Sequence, residues 1–350
     1  MKQVLQSKLF AVFIMVLLGG FLVFYDLDDR ALWQDEAETA CVSQTITADN
    51  LLPKGYDGLN YFSQQRGKEY DENYIWKLHP WFQFYWTATS FYFLEESTFS
   101  ARFPFALLGL ATIILSYFLS LLIWKDKRTA WFTVVFFLIS LSFLMLTRQA
   151  RYYAPVMFFS VYACYGLFGI FEKKKLSLMH FGIATFLLFH SQYLFALIFW
   201  LASLIYVFSF HRNKFKKVAV LIMLLAIPNI IFLKWLLLSP YGEGFELGLG
   251  FSEGLKQYPS YLFEYLVSPF WLVVPLGFFL FQKSKIQWKV EERPMLFFLL
   301  LIIGNLLGLL IFGRLVFVRY LCGMIPFIFL IKGRFAAWLA KIHVAIPIAF

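Results

Sequence analysis

Apolar residues fill long runs along almost the whole chain, broken by short polar punctuations, and the spacing of those runs predicts helices that cross a membrane. The runs fall roughly at 9–25, 103–124, 129–147, 152–171, 177–190, 193–210, 218–238, 260–281, 295–313, 316–331 and 335–350, which makes eleven expected spans. A twelfth run, Trp81 to Leu94, is only about fourteen residues long, which is short for a crossing. It carries Gln83, Thr87 and Ser90 at i, i+4 and i+7 on one face, the pattern of a helix lying in the membrane surface.

Composition agrees with the pattern. The 350 residues are 61% hydrophobic and 21% aromatic with mean hydropathy +0.69, so the expected fold class is all-α, a polytopic transmembrane bundle forming one domain over 1–350. The net charge of +10 changes the picture only through its placement. Lys and Arg sit in short loops between apolar runs, where they set topology, and no basic face for nucleic acid is present. Cys41, Cys164 and Cys322 are too scattered for a disulfide framework. Leu9 to Tyr25 lacks a small-residue cleavage site and reads as a retained signal anchor.

The basic clusters also decide the short run. If 81–94 does not cross, then 125–128, 173–175, 211–217, the Lys283 to Arg293 loop and 332–334 all share the side of Lys2 and Lys8, as the positive-inside rule asks. A large outer loop, 26–101, follows, holding thirteen acidic residues and the expected interfacial helices. Within it LWQDEAETA (32–40) is unusual: Asp35, Glu36 and Glu38 crowd Trp33 at the membrane edge. On a helical wheel Trp33, Ala37, Ala40 and Gln44 share one face and Asp35, Glu38, Thr39 and Val42 the other, so Trp33 would anchor in the headgroups while Asp35 points away. A carboxylate held there can take a proton from an attacking hydroxyl; an acidic loop kept only for solubility is the alternative.

Five arginines lie on the same outer side, namely Arg102, Arg148, Arg151, Arg314 and Arg319. Guanidinium pairs bidentately with phosphate, and equally each could snorkel to a lipid headgroup from a helix end. His79, before Pro80, could orient a phosphate, and Asp35, Glu36 and His190 are the candidate ligands should a divalent cation be used. The tract Leu52 to Trp76, rich in Tyr, Asn, Gln and Gly, is either part of an acceptor site or an ordinary loop.

Taken in order, LWQDEAETA, KLHPWFQFYW, ARFPFALLG, RQARYY and VRYLCGMIP resemble the GT-C glycosyltransferases, closest to the branch of protein O-mannosyltransferases and aminoarabinose (lipid A) transferases, over residues 5 to 332. The resemblance implies that Asp35 of an Asp-Glu pair is the catalytic base, with Glu36 beside it, that His79 and Pro80 match the family's His-Pro element, and that Arg102 matches its arginine before the next span. It also implies a sugar donor on a polyprenyl phosphate. RQARYY offers no carboxylate where some relatives have one, which argues against a metal-assisted mechanism, and the C-terminal soluble domain of several relatives is not expected here.

The expected activity is therefore inverting transfer of a sugar from a polyprenyl-phosphate donor to a lipid, glycan or protein acceptor, on the outer face of a bacterial plasma membrane, with Asp35 and Glu36 catalytic. Donor phosphate would be held by Arg102, Arg148, Arg151, Arg314, Arg319 and His79. The alternative is a transporter or flippase of a lipid-linked substrate, for which Pro228, Asn229 and Asn305 are the mid-span candidates.

Overall fold

A computed structural model describes residues 2–64, 67–237, 251–266, 292–313 and 316–342. Among them the chain is helical, without strands; three isolated antiparallel bridges, Lys54–Ile75, Tyr56–Tyr61 and Tyr70–Trp76, pin the one long loop. The helices are α1 (Lys2–Phe24), α2 (Gln34–Gln44), α3 (Phe82–Leu94), α4 (Thr98–Trp124), α5 (Lys127–Ile139), α6 (Leu141–Thr147), α7 (Tyr153–Phe171), α8 (Ser177–Ser191), α9 (Tyr193–Phe210), α10 (Arg212–Leu237), α11 (Phe251–Tyr261), α12 (Arg293–Phe312) and α13 (Ile325–Ile342). A π-turn (Leu262–Leu266) follows α11, and a 3-10 segment (Val318–Met324) leads into α13.

Six helical segments among the described residues are long and apolar enough to cross a membrane, or seven when α5 and α6 are taken as one bent span. The sequence expectation of about eleven is changed in identifiable places. Residues 316–331 and 335–350 were expected as two spans split at Lys332-Gly333-Arg334; instead one helical stretch, Val318–Ala340, runs through that triplet. Helix can continue because the charges find partners: Arg334 pairs with Glu292 and lies 3.8 Å from Asp126, while Lys332 donates to the Leu266 carbonyl. Gly333 lets α13 approach α5 so closely that a Cβ would fall 2.8 Å from the Thr133 backbone nitrogen. The expected span 129–147 is broken by 70° at Ser140, whose hydroxyl accepts from Phe143 N and starts α6 afresh. Most of the expected span 260–281, and 343–350 of the last, lie outside the described residues.

Burial orders the bundle. Seventy-two per cent of the apolar window of α7 and of Val318–Ala340 is buried inside the protein, against 17% for α10, so the first two are central and α10 is peripheral. Gly166 of α7 allows a close approach to the backbone of Phe181 on α8. The mid-span Asn229 and Asn305 each donate to the carbonyl four residues earlier in their own helix, at 2.8 and 2.7 Å.

The basic loops gather at one end. Lys125 pairs with Glu172 at 3.5 Å, His211 stacks on Phe171 at 3.7 Å, Arg293 covers Phe210, and Arg334 covers Trp124 while reaching Asp126 and Glu292. The end of α1 and the starts of α4 and α7 lie at the opposite end, joined by Arg148 and Arg102. There α3 turns its polar stripe inward: Gln83 and Thr87 are buried, and buried Ser90 donates to the Ser100 carbonyl at 2.6 Å. Its exposed residues are apolar apart from Thr89, with Tyr92 84% and Phe93 73% accessible, the reverse of a water-facing amphipathic helix.

Candidate active site

The first five residues of α2 carry three carboxylates, and the fold gives each a different setting. Glu36, 1% exposed, reaches back to the backbone N–H of Trp33 at 3.4 Å in the manner of a capping box. Its Oε1 accepts from Arg102 Nε (2.9 Å) and from the backbone N–H of Ala150 (2.9 Å), and its Oε2 from Arg102 Nη2 (2.7 Å). Arg102 Nη1 donates to the carbonyls of Leu27 (3.0 Å) and Arg30 (2.7 Å), and Nη2 to that of Ala31 (3.1 Å). All five N–H groups of this guanidinium are thereby used. Glu36 and Arg102 fasten the entry to α2, the start of α4 and the 148–151 turn into one corner.

This departs from the phosphate role expected of Arg102, and leaves Glu36 holding the backbone that carries Asp35. Arg102 has no donor left for a phosphate, and Glu36 has its lone pairs filled, so neither faces a ligand. The cause is burial: an unpaired charge so deep would be costly, and each has saturated the other together with local backbone.

Glu38 is the carboxylate that the sequence reading left without a role. It accepts from Arg151 Nη1 at 2.9 Å, and its Oε1 lies 3.3 Å from His79 Nε2. Burial pushes its pKa up, but the hydrogen bond and charge of His79 and the ion pair with Arg151 outweigh burial and hold it down at about 2. Arg151 Nη1 also donates to the Asp35 carbonyl and the Thr39 hydroxyl, both at 3.2 Å, and Nη2 lies 2.9 Å from His79 Nε2. One proton decides that last contact: a bare Nε2 accepts from Arg151, and a protonated one donates to Glu38. The signal for Glu38 was present in the sequence, since it shares the helix face of Asp35.

Asp35 alone keeps an accessible carboxylate, its side chain 17% exposed. Its Oδ2 stands 3.5 Å from Arg319 Nη2 and 4.0 Å from Arg151 Nη2, between two guanidinium groups and tightly bonded to neither. Arg319 lies over the rings of Trp33 (5.1 Å), Phe317 (4.3 Å) and Tyr320 (5.9 Å). Trp33, expected as a headgroup anchor, is thus a wall for this cation. The Nε atoms of Arg151 and Arg319 and the Trp33 indole nitrogen are buried without a hydrogen-bond partner. Tyr153 and Tyr320, not singled out from sequence, stand close enough to Asp35, Arg151 and Arg319 to interact with their charges.

The remaining candidates do not converge here. Arg148 donates to the carbonyls of Tyr25 (2.5 Å) and Asp26 (2.8 Å), closing the end of α1. Arg314 lies outside the described residues. His190 packs between Phe186 and Phe232, 4.6 and 5.3 Å away, and hydrogen-bonds with Asn229. The cation ligand set of Asp35, Glu36 and His190 is not assembled, and among the described residues no group of three or more His, Cys, Asp or Glu is placed to hold a metal.

Residues 72–240 match the family model described as dolichyl-phosphate-mannose-protein mannosyltransferase. The matched stretch contains His79, Arg102, Arg148, Arg151 and His190, while Asp35 precedes it and Arg319 follows it. Among solved structures, ArnT from Cupriavidus metallidurans bound to undecaprenyl phosphate superposes with a TM-score of 0.65 at 14% identity, covering 97% of this chain and 63% of that one. The same protein in the apo state gives 0.63 at 14% identity, covering 94% and 60%. The chain shares the ArnT fold and spans about three-fifths of the length of those ArnT chains. No curated protein matches it by sequence. Both matches fall within the GT-C group that the motifs resembled.

Proposed function

We propose that this chain is an integral-membrane glycosyltransferase that moves a sugar from a polyprenyl-phosphate donor to an acceptor hydroxyl or amine, with inversion at the anomeric carbon. The observation that carries the reading is the single accessible carboxylate of Asp35, flanked by two guanidinium groups whose Nε atoms have no partner, beside two carboxylates that are sequestered. ArnT was solved with undecaprenyl phosphate bound, which supports a lipid phosphate as the ligand of such a site.

In this reading Arg319, and Arg151 behind it, take the donor phosphate, and the phosphate competes with Asp35 for Arg319. Donor binding then frees the Asp35 carboxylate. The acceptor oxygen or nitrogen attacks the anomeric carbon, Asp35 accepts the proton, the bond from that carbon to the phosphate oxygen breaks, and polyprenyl phosphate departs with its charge held by guanidinium. Glu38 and His79 position Arg151, and Glu36 with Arg102 holds the backbone on which Asp35 sits. The end bearing the basic loops is assigned to the cytoplasm by the positive-inside rule, so the site faces outward from the plasma membrane.

The test is transfer from radiolabelled polyprenyl-phosphate sugars by the purified chain in lipid nanodiscs. Asp35→Asn keeps the shape and removes the base, so turnover is expected to fall by about a hundredfold or more while donor binding persists. Near-normal turnover in that variant overturns the assignment.

A further inference from the structure

Four tyrosines of the loop between α2 and α3 come together although nothing in their spacing announces it. Tyr56 and Tyr61, opposed across a bridge, stack with centroids 4.5 Å apart and planes within 24°. Tyr74 lies 5.1 Å from Tyr56 and 5.6 Å from Tyr61, and Tyr70 lies 5.7 Å from Tyr74. The Tyr61 and Tyr74 hydroxyls lie close enough to interact.

The pile is built on a firm footing and left open above. Backbone bonds Trp76 N to Pro53 O and Gly55 N to Tyr74 O, each 2.8 Å, fasten it to Trp76, which is fully buried. Gly55 is required there, since a Cβ would fall 2.1 Å from the Tyr70 ring. On the other side Tyr61 is 60% exposed and Leu59 87%. Tyr56, Tyr70 and Tyr74 are half-buried. Fully burying an exposed ring is worth about 1.5–3 kcal/mol, so the Tyr61 surface left in water forgoes free energy that a ligand would recover.

The loop is also tied to the site. Gln64 donates from Nε2 to the carbonyl of Gln34, the residue before Asp35, at 3.2 Å, and the Glu69 carboxylate holds Gln64 N (2.6 Å) and the Ser63 hydroxyl (2.7 Å).

We propose that Tyr56, Tyr61, Tyr70 and Tyr74 form a platform on which the acceptor lays a pyranose ring, making the acceptor a glycan or glycolipid. The inference rests on the glycosyl-transfer reading above. The chemistry fits a sugar. The faces of tyrosine rings are negative and attract the weakly positive axial C–H groups of a pyranose, and phenol hydroxyls meet its rim. Tyrosine also offers broad contact for little lost side-chain entropy.

The test uses the whole chain in phosphatidylethanolamine and phosphatidylglycerol nanodiscs, with saturation-transfer NMR on the methyl pyranosides of glucose, galactose, mannose and N-acetylglucosamine. At least one glycoside should show transfer concentrated on the protons of one ring face. Tyr61→Ala should weaken that binding about threefold to tenfold, the worth of one aromatic contact, and Tyr61→Phe should retain most of it. Tyr61 is exposed, so both variants should keep the parent unfolding temperature. Affinity for undecaprenyl phosphate should be unchanged in Tyr61→Ala, which separates an acceptor sugar from the donor's own. If wild type binds no glycoside, binds only a Ser- or Thr-containing peptide, or binds glycosides equally well without Tyr61, the platform proposal fails. Tyrosine-dependent glycoside binding without any affinity for undecaprenyl phosphate would leave the platform standing and remove the donor reading instead.

Discussion

Arginines that looked equivalent along the chain do different work. Arg102 spends every donor on Glu36 and three carbonyls, whereas Arg319 pairs loosely with Asp35 and keeps a buried Nε free. Lysine at each position separates the roles. Arg102→Lys loses the fork and should cost on the order of 3 kcal/mol of stability, seen as a lower unfolding temperature, with donor affinity of the folded fraction retained. Arg319→Lys should unfold near the parent temperature and lose about 1.5–3 kcal/mol of undecaprenyl-phosphate affinity by calorimetry. Glu38 gives a pH signature. Its carboxyl is lowered from 4.5 to about 2 in the fold, so its stabilisation is complete above pH 4.5 and is lost as pH falls towards 2. Glu38→Gln should flatten the acid limb of the unfolding-temperature profile in that window; an unchanged limb would place its source elsewhere.

At the level of elements, close helix contacts rest on glycine. A Cβ at Gly166 would lie 2.5 Å from Phe181 N, and backbone there cannot yield as a side chain would. Gly166→Leu should therefore separate α7 from α8 and lower stability by about 1–3 kcal/mol or more in detergent, while Gly20→Ala, which meets nothing within 4 Å, should be nearly silent. Several elements were readable from periodicity, including α4, α7, α9 and α12, because a continuous apolar run has no other stable form in lipid. The break at Ser140 and the continuity through Lys332-Gly333-Arg334 were not readable. The break rests on a hydroxyl cap, Ser140 accepting from Phe143 N, that an apolar run conceals, and the continuity rests on partners remote in the chain: a glycine-sized gap against Thr133, and Glu292 and Asp126 for Arg334.

For the whole molecule, the shared end of the basic loops makes a topological prediction. In a background lacking the three native cysteines, single cysteines at 174 and 214 should be shielded from an impermeant thiol reagent in intact cells, and one at 57 should react. The opposite pattern would invert the proposed orientation and put Asp35 in the cytoplasm.

Hydropathy and charge placement by themselves determined the all-helical class, the existence of a polar loop before α4 and the grouping of basic loops, because each is a local free-energy preference between water and lipid. They also marked the stretch around Asp35. Which carboxylate stays accessible was decided only by tertiary structure. Asp35, Glu36 and Glu38 are chemically near-identical neighbours, and their difference comes from His79 before α3, Arg102 on α4, Arg151 before α7 and Arg319 on the 3-10 segment before α13, brought from 41 to 284 residues away by the fold. The tyrosine platform has the same origin, since ring-on-ring geometry follows from a loop closed on Trp76 and not from the order of its residues.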